Sequence, residues 1–289
     1  IKWDLKREKI DEGLIHMWGA DMDFPCPDEI VDALHSLAER KIFGYSLPGE
    51  EFFSSFIGWQ KRRHEWTLER DWLVFAPGVM EAVRNAIEAH SKEGGTVVLQ
   101  SPVYYPFYDA IEGSGRKVAV NRLRKDKKGY VMDLDDLERL FSGPAEVLLL
   151  CSPHNPVGRV WTLEELDELN ELCGRYNITV ISDEIHADLL MPGEKFIPYA
   201  LVSEDAASRS VSCLSGNKTF NIAGFSSAHI VIVNDKLRTA FKKRLHASGR
   251  ELPNLASCAA ASAGFSSGDL WLDEVMSYIA ENAQYLRSA

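Results

Sequence analysis

The chain has 289 residues and a formal net charge of −11, because 43 acidic side chains outnumber 32 basic ones. This excess of negative charge argues against a nucleic-acid backbone as the main partner. Hydrophobic residues make up 45% and charged residues 26% of the chain, which is typical of a soluble globular protein with a large core.

Five cysteines occur at wide spacing, without CxxC pairs or Cys/His ligand spacing. We therefore expect free thiols in a reducing cytosol rather than a disulfide framework or a zinc site. The histidines show no metal-ligand spacing either, and we interpret them as surface or satisfied core residues. A run of about 18 apolar residues, which a membrane helix needs, does not occur. The first residues do not resemble a signal peptide, so we expect a cytoplasmic protein.

In the first half of the chain, apolar residues at helical spacing alternate with short apolar runs. Helices are predicted over 27–40, where a proline suits the first turn, and over 79–93. A strand is predicted over 96–99, followed by a short helix near 105–113 and a strand near 116–121.

The second half continues the same alternation. A helix is predicted to begin at Asp133, and the apolar run at 146–151 predicts a strand buried on both faces. Thr162 and Glu165 have the spacing of a capping box that opens a helix to about Tyr176. Further strands are predicted at 178–182, 209–214 and 228–233, and the residues after about 236 are predicted to be helical. This alternation predicts an α/β fold with a mainly parallel sheet flanked by helices.

Two charged segments have simple structural interpretations. Residues 61–64 (KRRH) are interpreted as the polar face of a helix. Residues 122–128 are interpreted as a solvated hairpin or loop. Neither segment is expected to bind nucleic acid.

Three polar segments follow predicted strands. They are SPHNPVG at 152–158, DEIH at 183–186 and SGNKTF at 215–220. Ligands of open α/β sheets bind beyond the carboxyl ends of the strands, so we expect these segments to converge. Taken singly they could be a turn, a helix cap and a loop, but their order and position together favour a functional site.

These segments resemble pyridoxal 5′-phosphate (PLP) enzymes of fold type I in the aminotransferase class I/II superfamily. They are most similar to its cystathionine β-lyase (MalY/PatB) branch. The resemblance covers nearly the whole chain, from Trp18 through Phe43-Gly44-Tyr45-Ser46 to Leu272. It rests on the spacings N-P-x-G, D-E-x-H and S-G-x-K-x-F, which are specific in combination.

The resemblance implies a large PLP-binding domain over 45–265 and part of a smaller α/β domain. Residues 1–44 would be the N-terminal segment of the small domain. Residues 266–289 would form a helix leading into a C-terminal small domain that we expect to be missing from this chain. That segment would carry an arginine for the substrate α-carboxylate, so we expect the sequence to be a fragment. Ala20 and Asp21 would line the substrate side.

The resemblance also assigns roles at the cofactor. Lys218 matches the Schiff-base lysine, which would also move the Cα proton as general acid and base. Asp183 would face the pyridine nitrogen and favour its protonated form. Asn155 would donate a hydrogen bond to O3′. His186 would also lie near O3′, where aminotransferases commonly carry a tyrosine.

Two tyrosines are candidates for stacking on the cofactor ring. Tyr104 matches the stacking residue of the family, and Tyr105 is the alternative if the register is shifted by one. Buried tyrosines are common, so a structural tyrosine in the core is a competing interpretation of Tyr104.

A phosphate site is predicted at the start of the helix over 79–93. Helix N-termini bind anions through free N–H groups and the helix dipole, and Gly78 permits close approach. By resemblance, the Val79 and Met80 amides and the Ser215 hydroxyl hold the phosphate, joined by Tyr45 from the partner subunit of a homodimer. Many superfamily members carry an arginine eight residues beyond the lysine, where this chain has Ser226. We expect Ser226 or Ser227 to contribute weakly.

The resemblance implies a PLP-dependent carbon–sulfur β-lyase that converts L-cystathionine or cysteine S-conjugates to pyruvate, ammonia and a thiol. The alternative is a class I/II aminotransferase, which would share every residue named above except His186. A regulatory protein that keeps the fold for binding is disfavoured, because Lys218 and Asp183 are intact and a helix-turn-helix module is not visible. We expect a small amino-acid substrate and a homodimer, without a membrane or nucleic-acid partner.

Overall fold

The computed structural model describes residues 19–127 and 129–289. Trp18, with which the family resemblance begins, lies outside the described residues. In the described ranges the strands, numbered in chain order, are β1 (Leu73–Ala76), β2 (Thr96–Ser101), β3 (Lys117–Arg122), β4 (Arg124–Asp126), β5 (Gly129–Val131), β6 (Ala145–Cys151), β7 (Thr179–Asp183), β8 (Ser210–Leu214) and β9 (Ala228–Val231).

Helices alternate with most of these strands. In the same described ranges they are α1 (Asp28–Glu39), α2 (Glu50–His64), α3 (Val79–His90), α4 (Pro106–Gly113), α5 (Leu134–Phe141), α6 (Leu163–Arg175), α7 (Glu204–Arg209), α8 (Gly216–Thr219), α9 (Asp235–Ala247), α10 (Leu255–Ser267) and α11 (Asp269–Ser288). In this part of the chain, no helix combines the length and apolar character that crossing a membrane requires.

Seven of the strands described above form one sheet in the order β1-β9-β8-β7-β6-β2-β3. The pairs from β8 to β3 are parallel, whereas β9 runs antiparallel to both β8 and β1. The predicted α/β fold with a mainly parallel sheet is confirmed. β4 and β5 pair with each other as a hairpin, as predicted for this charged segment.

Side chains of the central strands alternate between the two faces of the sheet. Val97 and Leu99 pack into the core formed with α3 and α4, whereas Val98 packs on the opposite face with α5 and α6. β6 alternates in the same way, with Leu149 on the first face and Leu148 on the second. Both faces are therefore buried, which explains why the middle residues of these strands are apolar.

A third core, rich in aromatic side chains, packs α1, α2, α10 and α11 against the β1–β9 edge and α8. Phe52 and Phe56 stack on the two sides of the buried His229 ring, at centroid distances of 3.9 and 4.1 Å. Phe220, directly after α8, lies in this core and is fully buried. The short helix that carries Lys218 is therefore followed directly by a residue of the aromatic core.

The predicted starts of two helices are confirmed. The side chain of Thr162 accepts a hydrogen bond from the Glu165 N–H and the Glu165 side chain accepts one from the Thr162 N–H, so the predicted capping box is confirmed. The side chain of Asp133 likewise accepts a hydrogen bond from the N–H of Asp136 and caps α5. These interactions span three residues, so they are visible in the sequence.

Two structural interpretations are wrong. The chain is not helical throughout after residue 236, because Gly249 has a φ of +68° and residues 248–254 separate α9 from α10. His64 does not lie on a polar helix face, since it is 7% exposed and donates to Asp188 at 2.7 Å. Its neighbours Arg62 and Arg63 pair with acidic residues of α11 rather than facing only solvent.

Candidate active site

The three polar segments meet at one cavity of about 690 Å³. Asn155, Asp183 and Lys218 follow or end β6, β7 and β8, which are parallel neighbours, and all three line this cavity. The other predicted site residues that line it are Ala20, Gly78, Val79, Met80, Tyr104 and His186. Parallel strands bring their carboxyl ends to one edge of the sheet, which explains the convergence.

Asp183 presents a buried carboxylate to the cavity. It is the last residue of β7, stands between Cys151 and Cys213 in the sheet register, and is 4% exposed. The N–H of Ile185 donates to its Oδ1 at 3.1 Å. Burial raises the pKa of this carboxyl to about 7, in spite of that hydrogen bond. A cationic group in the cavity would restore the ionised form, so this end of the cavity favours a positively charged ligand atom.

His186 and Lys218 lie close enough to interact electrostatically. Burial, and then the positive charge of Lys218, lower the pKa of His186 to about 4. The imidazole is therefore neutral near pH 7 and has one donor and one acceptor nitrogen for a polar ligand.

Another part of the cavity lining is formed by the N-terminus of α3. The carbonyl of Gly78 accepts the first helical hydrogen bond, from Ala82 at 3.0 Å. The amides of Val79, Met80 and Glu81 precede that bond, so the helix geometry supplies them with no acceptor of its own. All three residues line the cavity. Free N–H groups at the positive end of a helix dipole form an anion site.

Both candidate tyrosines line the cavity. Tyr104 is 37% exposed and its ring meets Phe107 edge-on, whereas Tyr105 is 75% exposed. Burial, then Tyr105 and then Asp183, raise the pKa of Tyr104, which places its hydroxyl within the electrostatic reach of that carboxylate. Tyr104 is therefore a residue of the cavity wall and not of the core.

His154 joins the loop of Asn155 to the loop of Tyr104. Burial lowers its pKa to about 4, so the ring is neutral, and its Nε2 lies 3.0 Å from the carbonyl of Pro102. Because a carbonyl accepts, this nitrogen must carry the proton. The sequence analysis interpreted His154 as a surface or satisfied core residue, and the structure shows it buried, with this hydrogen bond to the loop of Tyr104.

Three predicted site residues do not line the central cavity. The Ser215 hydroxyl donates to the Ser227 carbonyl at 2.6 Å and accepts from the Asn217 N–H at 3.1 Å, so it caps α8. Tyr45 is 99% exposed and lines a separate depression of about 580 Å³. Asp21 is also not part of the cavity lining, although its neighbour Ala20 is. The roles given to these residues stay predictions.

Cys151 and Asn217 also line the cavity, although the sequence analysis gave neither of them a role. The thiol of Cys151 is neutral, because burial and then the Asp183 carboxylate raise its pKa. Asn217 lines the cavity with a buried Oδ1 that has no hydrogen-bond partner within the described ranges. Its position beside Lys218 in SGNKTF was the available signal.

α8, the helix that carries Lys218, packs closely against α10. An added Cβ at Gly264 or Gly268 would lie 2.5 Å from the Phe220 ring, and one at Gly216 would lie 3.0 Å from it. Side chains at these positions would displace Phe220, which is two residues beyond Lys218. The glycines therefore let α8 approach α10 closely.

Taken together, the cavity offers a lysine amine, a buried carboxylate and a helix N-terminus. These groups suit a flat ligand that carries an aldehyde, a basic ring nitrogen and a phosphate. PLP has all three functional groups. Among the residues that the structure describes, no group of three or more His, Cys, Asp or Glu side chains could hold a metal ion. The family model "Aminotransferase class I and II" matches residues 19–289.

The chain belongs to the aminotransferase class I and II family. It is 40% identical to the cystathionine β-lyase PatB of Bacillus subtilis, over 98% of this chain and 73% of that protein. Among solved structures, cystalysin from Treponema denticola, which contains a PLP cofactor, superposes with a TM-score of 0.94 at 32% identity, covering 100% of this chain and 74% of that one. The PLP-bound C–S lyase from Staphylococcus hominis gives a TM-score of 0.89 at 30% identity, covering 95% of this chain and 70% of that one.

Proposed function

We propose that the protein is a PLP-dependent carbon–sulfur β-lyase that acts on L-cystathionine or related cysteine S-conjugates. The observation that carries the proposal is the 40% identity to a cystathionine β-lyase over 98% of the chain. It is supported by Asn155, Asp183, His186 and Lys218, which line one cavity. The products would be pyruvate, ammonia and a thiol.

Two parts of the cavity lining would suit PLP. The amides of Val79 and Met80 would hold the phosphate at the N-terminus of α3, where Gly78 allows close approach. The Asp183 carboxylate, whose pKa burial raises to about 7, would gain a counter-charge from a protonated ring nitrogen. Asn155 and neutral His186 would hydrogen-bond a polar ring substituent. The Ser215 hydroxyl, given to the phosphate by resemblance, would first have to leave the Ser227 carbonyl.

Other residues of the chain would attach the cofactor, move a proton and line the substrate side. When bound, PLP supplies an electron sink that makes the substrate Cα–H bond acidic. Lys218 would attach the cofactor covalently and, once displaced by the substrate amine, would take the Cα proton. Tyr104 would cover one face of the ring. Ala20 and Asp21 are proposed for the substrate side, and Ala20 lines the cavity.

The overall reaction breaks the Cα–H and Cβ–S bonds of the substrate. The sulfur leaves with a proton as a thiol, and water then supplies the carbonyl oxygen of pyruvate while the nitrogen leaves as ammonia. Lys218 would supply the base that this elimination requires.

We further propose a cytoplasmic homodimer in which Tyr45 reaches the phosphate site of the partner. Tyr45 lies in an exposed apolar segment with Ile42 at 72%, Phe43 at 66% and Leu47 at 74% exposure. Contiguous apolar surface of this kind favours an interface. Five free thiols fit a reducing compartment.

Hybrid dimers test the contribution of Tyr45. Tyr45→Phe protein mixed with Lys218→Ala protein should recover up to about a quarter of wild-type activity, because half of the dimers would carry one intact site. A monomer with full activity would contradict the proposal. Recovery no greater than the sum of the two unmixed variants would also contradict it.

Product analysis tests the reaction. Purified protein given L-cystathionine should release pyruvate, ammonia and a thiol in equal amounts without any keto acid. The competing function is amino transfer, which the name of the matched family favours. If amino transfer to an added keto acid outpaces pyruvate release from every thioether tested, the protein is an aminotransferase.

A further inference from the structure

Asn221 connects the lysine segment to the N-terminal segment of the described chain. It lies three residues beyond Lys218 and has a left-handed backbone, with φ of +56°. Its Oδ1 accepts from the Met22 N–H at 2.9 Å, and its Nδ2 donates to the Met22 carbonyl at 3.1 Å and the Phe24 carbonyl at 2.8 Å. One carboxamide thus satisfies backbone groups that lie almost 200 positions away in the sequence.

The segment that Asn221 holds forms part of the cavity wall. Gly19 and Ala20, just before Met22, line the same cavity as Lys218. The far end of the segment is fixed to α11, where Trp271 Nε1 donates to the Pro25 carbonyl at 3.1 Å and the Phe24 ring meets Tyr278 edge-on. Asn221 lies two residues after α8, the helix that carries Lys218. Its hydrogen bonds therefore relate the position of this wall to that of Lys218.

The carboxamide itself is used, not just the backbone preference of asparagine. Asparagine tolerates a left-handed conformation better than most residues, and glycine tolerates it better still. A residue chosen for its backbone alone would not need to accept one hydrogen bond and donate two. Aspartate would keep the acceptor but would place a negative charge against two carbonyl oxygens.

We propose that Asn221 is a positioning residue that fixes the 19–24 segment against the segment that carries Lys218. It would thereby set the affinity for substrate. The inference rests on the proposed function, because the substrate is taken to enter the cavity between this segment and Lys218. Asp183 and the N-terminus of α3 lie on other elements, so their proposed contacts with PLP do not require the Asn221 side chain.

Asn221→Gly is the decisive variant, since it removes the carboxamide and retains the allowed backbone. Asn177→Gly is a matched control, because Asn177 is an exposed asparagine with φ of +53° after α6. Asn221→Asp, which keeps the side-chain shape, gives a second variant in case the first folds poorly.

Hydrogen exchange on the PLP-loaded protein gives a readout that is independent of activity. The Met22 amide should exchange at least about tenfold faster in Asn221→Gly than in wild type, because its acceptor is lost. Asn177→Gly should leave this amide unchanged. Exchange at residues 19–25 that equals wild type in both Asn221 variants would overturn the inference.

Kinetics then test the consequence for substrate. Asn221→Gly should raise KM for L-cystathionine about tenfold, as expected for loss of such hydrogen bonds, with kcat within about threefold of wild type. An unchanged KM, or a fall confined to kcat, would overturn the inference. Wild-type protein that cleaves no thioether would instead remove the proposed function, and the exchange comparison would still report on the contact.

Discussion

The hydroxyl of Thr219, the residue that follows Lys218, donates a 2.7 Å hydrogen bond to Asp188. The same carboxylate accepts from Trp59 Nε1 at 2.9 Å and from His64 Nε2 at 2.7 Å, and its side chain is 7% exposed. Burial would raise the pKa of Asp188, but the hydrogen bonds and charge of these partners, led by His64, hold it below its usual value. Asp188 therefore joins α2 to the helix of Lys218.

Asp188→Ala is expected to destabilise the fold strongly. It leaves three buried donors without an acceptor, which should lower the free energy of unfolding by roughly 3–5 kcal/mol. Thr219→Val removes one of these hydrogen bonds and should cost about 1 kcal/mol. Urea unfolding measures both, with Asp235→Ala as a surface control, since the Asp235 side chain is 84% exposed. Equal stability of Asp188→Ala and the surface control would contradict the bridging role.

Asp183 should make the cofactor-free protein less stable as pH rises. The pKa of its carboxyl is about 7 in the folded protein against the ordinary value of 3.8. Between these values the folded state keeps a proton that the unfolded state has lost, so the free energy of unfolding falls from about pH 4 to about pH 7 and then levels off. Asp183→Asn removes this contribution, which is roughly 4 kcal/mol for a shift of this size.

Denaturation at several pH values tests whether the free energy of unfolding falls as the pH rises. Asp183→Asn should match wild type near pH 4 and exceed it at pH 8, while losing most of the activity. Both proteins should retain the further loss caused by Glu184, whose pKa burial raises to about 8. A variant that is no more stable than wild type at pH 8 would contradict the account of Asp183.

Gly78→Ala should weaken cofactor binding through the backbone alone. Gly78 has φ of +149° and ψ of 158°, a conformation that costs a residue with a side chain about 1–3 kcal/mol. An added Cβ would meet nothing closer than Ser226 Cβ at 3.9 Å, so a steric clash is not the cause. The dissociation constant for PLP, measured by absorbance titration, should rise about tenfold.

A second glycine gives the control for this experiment. Gly94→Ala also strains a positive φ, of +72°, at a position outside the cavity lining. It should lower stability but leave the affinity for PLP unchanged. Equal affinities for PLP in the Gly78 and Gly94 variants would argue against an anion site at α3.

The site residues that were predicted to converge share one property, which is their position at or near the end of a strand. Asp183 ends β7, and Asn155 and Lys218 follow the ends of β6 and β8 by four residues, so local pattern and the geometry of parallel sheets were sufficient to predict that they converge. The capping box at Thr162 was predictable for the same reason, since its partners are three residues apart.

The residues that were missed depend on contacts between distant parts of the chain. His64 looked like part of a basic helix face, yet Asp188, 124 positions away, draws it into the interior. Asn221 and Met22 are 199 positions apart, and neither neighbourhood signals the other. β1 was overlooked because four apolar residues carry little periodicity and β1 pairs with β9, more than 150 positions later.

Chemical trapping at Lys218 tests the central claim most directly. The PLP-loaded protein is reduced with borohydride and digested, and the peptides are analysed by mass spectrometry. We expect a pyridoxyl phosphate group on Lys218 and no stable attachment in Lys218→Ala. A variant at a surface lysine such as Lys195, whose side chain is 71% exposed, should retain the attachment. A reducible attachment that persists in Lys218→Ala, or that maps to another lysine in the wild type, would contradict that claim.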